Sequence, residues 1–537
     1  MDNELAGKIF VREATGLIRE ISPFAALVTT IVLTNYGLGM ATFETYTPYL
    51  YPGANLAVVA VYAIPFVLLN ASLYIIMSNA FPRSGGDYVW ISRIIHPALA
   101  IGFLFIYVWY QAAFVGSLIN YTVSYFLGSG IATMGFALNN SSLINISHFI
   151  ATPEAIVALG TLIIVLLTPL LLFPVKHYLR YQLGMWVLGI LSIIISVALF
   201  MSTSPLGFRH IFDADFASYN TTYTGVINQA KSLGFKNPGL LTFGLPTLYA
   251  VPFMFLSLNG FQMGAYFAGE LRNFRKSMVV AGILGGLLSI LFYAVVGYTF
   301  QHTVGAQFLN ALSFIEYAHP SAYVLPIPWS NFFFSMILTK NPLLIILMVV
   351  GLFAWGVTGV TAVGLVCSRI MFAAGFDRSL PALLAKVSER FHTPVTAVTI
   401  YMALTELGLV LSVYAGVIFE FLNITLVLVS LHAFVGLAAL MLPYIRKQMY
   451  SNSILARYKL GKVPAISLLG AANLILFGFL DYFSLLNPAV SGPTGLSAIG
   501  ALIGIFLLGV VSYFLVTRYY NSKGIDVSLA FKEIPPE

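Results

Sequence analysis

Two short stretches of this chain hold residues that could do chemistry in otherwise apolar surroundings: Asn35-Tyr36-Gly37-Leu38-Gly39 and Asn259-Gly260-Phe261-Gln262. Asn and Gly weaken a helix. Within lipid a weakened helix is tolerated only where its freed backbone touches protein or lines a cavity. A helix broken in mid-run exposes N–H groups at one end and carbonyls at the other, with a dipole of matching sign. That is chemistry for a zwitterion, N–H groups for a carboxylate and carbonyls for an ammonium. Gly37 and Gly39 have no side chain, so a carboxylate could approach the backbone closely, and carbonyls near Asn259 could take the ammonium. Such a site needs no charged side chain at mid-membrane, where one is costly. The competing reading is that glycines in apolar helices are packing surface.

The elements that must position these stretches are membrane spans. Of 537 residues, 59% are hydrophobic and 8% charged, and the mean hydropathy is +0.91. A soluble globular chain carries about a quarter charged residues, so a large soluble enzyme is excluded. Runs of about 20 apolar residues recur without polar alternation, which points to a polytopic helical protein rather than a barrel. The single cysteine, Cys367, rules out an internal disulfide and a thiolate metal site, and no cofactor is expected beyond a coupling ion.

Twelve spans are predicted, at 22–47, 55–80, 98–127, 153–173, 181–203, 243–268, 278–301, 342–373, 393–415, 417–443, 464–483 and 496–517. All but four of the 26 Lys and Arg then fall on one side, the exceptions being Arg209, Lys231, Lys236 and Lys340. Basic residues mark the cytoplasmic side, so both termini are expected inside. That distribution makes the net charge of +7 a topology signal rather than a mark of nucleic-acid binding. The long outer loops are 128–152, 204–242 and 302–341. Spans 1–5 and 6–10 each open with a broken helix. An odd number of spans per half makes the second half enter from the opposite face, an inverted repeat. The division is then an N-terminal tail at 1–21, a transporter core at 22–443, two additional helices at 464–517 and a C-terminal tail at 518–537.

Three motifs bear on the family. Phe81-Pro-Arg-Ser-Gly-Gly-Asp-Tyr-Val-Trp90 resembles the "PRSGGxYxW" loop of amino acid permeases in the amino acid–polyamine–organocation (APC) superfamily. Gly260-Phe261-Gln262, followed by Ala268-Gly269-Glu270 and Asn273, is similar to the family's "GFE…AGExxNPxR". Ser368-Arg369, Asp377-Arg378-Ser-Leu-Pro381 and Thr393-Pro394 are similar to its "SRxxY…DGxLP…TP". The resemblance covers roughly residues 20–445. It implies an all-α integral membrane protein of the leucine-transporter type, a 5+5 inverted repeat with two additional helices. It also implies substrate held between spans 1 and 6, with spans 3, 8 and 10 completing the walls. There are departures. Gln262 replaces the family's acid, Phe274 replaces its proline, Leu38 offers no hydroxyl, and span 5 has no lysine within 181–203.

Phe261 could close over a bound solute, with Tyr110 in span 3 and Trp355 in span 8 as further aromatic wall; core packing is the alternative for each. Gln262 could bond substrate or a neighbouring helix. Thr358 and Thr361 share one face of span 8, as hydroxyls binding sodium would, although hydroxyls in spans more often bond their own helix. His432 in span 10 and Glu406 in span 9 are intramembrane ionisable groups, functional suspects by default. Arg83, Asp87 and Glu270, with Arg272, Arg369 and Asp377, could form ion pairs that close the inner side, or serve only as anchors. The expected function is secondary transport of amino acids in the plasma membrane, coupled to protons or sodium. The alternative is a permease for polyamines or other small organic cations. Expected partners are the substrate and membrane lipid; no nucleic acid is expected, and oligomeric state is not legible.

Overall fold

The computed structural model describes residues 16–258, 260–415, 424–486 and 496–532. Among them, eleven helices are long and apolar enough to cross a membrane, and a twelfth apolar helix, Leu245–Phe255, is shorter. The short one is span 6. It reads in sequence as a run over 243–268, but the chain leaves α-helix after Ser257 and regains it at Phe274. Two 3₁₀ turns, Met263–Ala265 and Ala268–Glu270, fill part of the interval.

Span 1 is two helices, Pro23–Thr34 and Tyr36–Leu50, joined by Asn35 alone. Ser22 caps the first, its Oγ accepting from Ala25 N at 3.2 Å, and Pro23 fits the first turn, where no N–H is needed. Asn35 takes the left-handed conformation, φ 42° and ψ 71°, which a short polar side chain tolerates better than most. The expected break at 35–39 is therefore narrower than predicted: Gly37, Leu38 and Gly39 are wound into the second half-helix.

The inverted repeat is visible in the packing. Spans 1 and 6, 2 and 7, 3 and 8, and 4 and 9 each pack against their own counterpart. Crossed contacts also come in matched pairs: 5 on 8 with 10 on 3, 1 on 5 with 6 on 10, and 1 on 7 with 6 on 2. A pseudo-two-fold axis generates such a pattern. Span 11 packs on span 10, and span 12 on span 3.

The loops of the other face are not structureless. They hold helices Ser141–Ile150, Pro205–Asp215, Tyr223–Ser232, Ala306–Ala318 and Asn331–Ile337. Their buried phenylalanines, among them Phe208, Phe212, Phe308 and Phe334, seal this cap over the bundle.

Candidate functional site

The two breaks meet. A Cβ placed on Gly260 would lie 2.7 Å from both Thr30 O and Thr34 N. Only a residue without a side chain lets the span 6 backbone cross the end of the first half-helix of span 1 at this distance. Asn259 itself lies outside the described residues.

Beside this crossing is a cavity of about 350 Å³. Span 1 contributes Thr34, Asn35, Leu38, Gly39, Thr42 and Tyr46. Span 3 contributes Gln111, Phe114, Ser117, Leu118 and Tyr121. Phe253, Ser257 and Met263 come from span 6, Gly359 and Val363 from span 8, and Leu428 from span 10. None of the described lining residues is Asp, Glu, Lys, Arg or His. The charges of a zwitterion would therefore meet peptide dipoles and neutral side chains. At the break, Asn35 O accepts from Gly39 N at 2.9 Å and Asn35 Oδ1 from Leu38 N at 3.3 Å, so the second half-helix restarts at once. The Asn35 Nδ2 is buried without a hydrogen-bond partner, beside Gly359. A donor left open at the edge of a cavity is a natural contact for an anionic oxygen.

The sequence-predicted residues divide. Asn35, Leu38 and Gly39 line the cavity; Tyr36, Gly37, Gly260, Phe261, Gln262, Tyr110 and Trp355 do not. Gly37 faces Trp355, whose Cβ would lie 2.6 Å from an added methyl, and Gly39 abuts the Tyr293 hydroxyl. Both glycines thus serve helix packing, and Gly39 borders the cavity as well. Tyr36 donates to Ser289 Oγ at 2.9 Å and stacks on Phe292 at 5.0 Å. Trp355 packs on Tyr36 at 5.2 Å and fills space left by Gly189. Tyr110 is buried within span 3. Phe261 lies edge-on to Phe255 at 5.9 Å and touches Gly286 of span 7. Gln262 Nε2 lies 3.3 Å from His432 Nε2, and the other ring nitrogen of His432 is 2.9 Å from the Tyr74 hydroxyl. Thr358 donates to Ala354 O at 2.9 Å, and Thr361 to Thr358 O at 3.1 Å, both within span 8.

Sequence reasoning missed Thr42, Tyr46, Gln111, Ser117, Tyr121 and Ser257. Gln111 had a readable signal, being an amide in the middle of an apolar span. The hydroxyls had none, since Tyr, Ser and Thr are scattered through most spans.

On the face of the chain termini the bundle is closed by buried ion pairs. Arg83 and Arg93 each place Nη2 2.7 Å from one oxygen of Asp377. Arg369 grips Glu270 with two bonds, 2.7 and 3.1 Å. The residues before span 1 add to the seal: Ile21 N donates to Glu270 O at 2.9 Å and Arg272 N to Ile21 O at 2.8 Å. Asp87 differs from the other acids here. It is 3% exposed, and its Oδ2 accepts from the Tyr266 hydroxyl at 2.5 Å. Among the described residues no cation pairs with it. Burial pushes its carboxyl up to about 6, against the pull of the Tyr266 and Tyr74 hydroxyls. The expected ion pairing thus holds for Arg83 and Glu270, whereas Asp87 is tied to tyrosines.

The sequence model of a family described as amino acid permease matches residues 21–510. No curated protein matches the chain.

Proposed function

The chain belongs to the amino acid permease family, and from that premise we propose a secondary active transporter that moves amino acids by alternating access. One observation carries the reading: two helix breaks lie against each other beside a cavity of about 350 Å³ whose wall, among the described residues, has no charged side chain. The amino group of a substrate would sit by the carbonyls ending Pro23–Thr34 and Val251–Ser257. Its carboxylate would sit by the first N–H groups of Tyr36–Leu50 and the Asn35 amide.

The cavity runs toward the loop face, since Thr42, Tyr46 and Tyr121 lie beyond the break on that side. The opposite face is held by the Arg83–Asp377–Arg93 and Arg369–Glu270 clusters. In this reading the cluster face is cytoplasmic, the membrane is the plasma membrane, and the inner ion pairs separate when spans 1, 2, 6 and 7 swing to release substrate. Proton coupling is favoured over sodium. Asp87 is a buried acid that, among the described residues, has no cation beside it, so it can take up a proton. His432 and its bond to Gln262 stand beside this as a further route for a proton.

Uptake into liposomes of each of the twenty amino acids, with and without sodium and with an imposed proton gradient, tests the proposal. Saturable uptake of at least one amino acid, driven by an inward proton gradient, is the expected result. Uptake of putrescine with no amino acid transported would favour the organic-cation alternative.

A further inference from the structure

The loop-face end of the cavity is built differently from its floor. Tyr46 and Tyr121 are the last lining residues there. Tyr46 stacks on Tyr317 of the loop helix Ala306–Ala318, with ring centres 4.1 Å apart, and Tyr121 on Tyr125 at 4.4 Å. The Tyr317 hydroxyl donates to Thr45 Oγ1 at 3.1 Å, which fixes the ring against Tyr46. Next to Tyr317 is Glu316, whose Oε2 accepts from the Trp329 indole N–H at 2.6 Å. Tyr46, Tyr125, Tyr317 and Tyr323 all lie within electrostatic reach of that carboxylate. Among the described residues no Lys, Arg or His comes within 4.0 Å of it.

We infer that this mouth is a second binding site, for the ammonium head of an organic cation. An acid half-buried among rings, with no protein cation, lacks the partner that would offset its desolvation. An incoming ammonium supplies that partner, and the ring faces add about 0.5–2 kcal/mol each through cation–π attraction. Neutral solutes gain neither term. The site is separate from the one at the breaks. Tyr46 is eleven residues beyond Asn35 on a helix rising about 1.5 Å per residue, so the two lie roughly 16 Å apart. The mouth holds either a second, waiting molecule or the far amine of a long polyamine. That an occupant then moves inward rests on the transport reading; the binding itself does not.

Burial pushes the Glu316 carboxyl up to about 7, against the pull of the Trp329 N–H. The charged form dominates above that value and is lost as the pH falls, so cation binding strengthens from pH 6 to pH 8. The titratable groups within its electrostatic reach are the four tyrosines, neutral across this range; Glu44 also acts on Tyr125, and Tyr49 packs on Tyr317 with ring centres 5.5 Å apart. His319, on the chain just beyond, turns to Phe314.

The test is titration of the purified full-length protein with choline, spermine and a neutral amino acid at pH 8 and pH 6, read by tryptophan emission. Wild type is compared with Glu316→Gln, which keeps an acceptor for the Trp329 N–H, and with Tyr317→Leu. Saturable choline binding at pH 8, at least tenfold weaker at pH 6 and in either variant, is the expected result. Spermine binding more than tenfold tighter than choline identifies one molecule spanning both sites, and equal binding identifies separate occupants; each supports the site. Choline binding that is absent at pH 8, or unchanged by pH and by Glu316→Gln, overturns the inference. Choline binding in a protein that takes up no amino acid would leave the mouth standing and remove the transport reading instead.

Discussion

Span 1 and span 6 break in the same place by sequence, but the two breaks are held in different ways. Span 1 heals within one residue, because Asn35 adopts the left-handed conformation and its own Oδ1 caps Leu38 N. Span 6 carries Gly260, Gly264 and Gly269 and stays out of α-helix until Phe274. Its freed backbone and side chains are satisfied from elsewhere. Gly85 N donates to Tyr266 O at 3.0 Å, Gly269 N to Ser84 Oγ at 2.9 Å, and Ile21 N to Glu270 O at 2.9 Å. A break that caps itself is a fixed platform. A break held by two other segments, the loop with Ser84 and Gly85 and the residues before span 1, can be released when those segments move, and both lie on the ion-paired face. In the proposed function, span 1 would hold substrate and span 6 would link the site with the inner closure.

The largest effect should come from the anchor of the span 6 stretch. Glu270→Gln leaves Arg369 buried and unpaired, which costs about 3–5 kcal/mol. Chemical unfolding in detergent should report it, and the double change Glu270→Gln with Arg369→Met should recover most of the loss. No recovery would mean that the pair is not what holds the segment. Gly260→Leu comes next. The protein should insert while uptake falls about 100-fold, the scale a misplaced binding geometry costs. Normal uptake would separate span 6 from the site. Asn35→Ala should cost about 1 kcal/mol, as loss of a cap does, and raise the KM for uptake several-fold, while Asn35→Gly stays closer to wild type.

The last effect, visible only as the pH is changed, concerns Asp87, tied to Tyr266 of the same stretch. Its carboxyl is raised from 3.8 to about 6 on folding. The stabilisation this represents is complete below the unfolded value and lost as pH rises through 6. Asp87→Asn imitates the protonated form. Melting temperatures of variant and wild type should coincide near pH 4, and the variant should be the more stable above pH 6. Parallel curves across that range would show that Asp87 does not titrate there.

Much of this architecture was legible in the residues. Asn35 and Gly260 marked the breaks because Asn and Gly close together in an apolar run weaken the helix there. The apolar runs gave the span count, the Arg and Lys distribution sorted the loops by side, and matched motifs picked out Glu270 and Arg369. What a small residue faces was not legible. Gly37 meets Trp355 and Gly39 meets Tyr293, both hundreds of positions away, so packing and substrate access read alike along the chain. The length of the span 6 unwinding was also hidden, because it depends on partners such as Ser84 and Ile21 outside the span. Tyr46 and Gln111 escaped notice because an inward-facing tyrosine or amide is distinguished only by the cavity it lines.

The central claim is that peptide dipoles at the two breaks hold both charges of a zwitterion. Binding of a transported amino acid, its carboxamide and its N-acetyl derivative to the purified protein tests this directly. Each derivative removes one charge and keeps the side chain. The account predicts that both bind at least about 100-fold more weakly than the parent, a loss of roughly 2.7 kcal/mol per charge. Equal affinity for the parent and either derivative would contradict it.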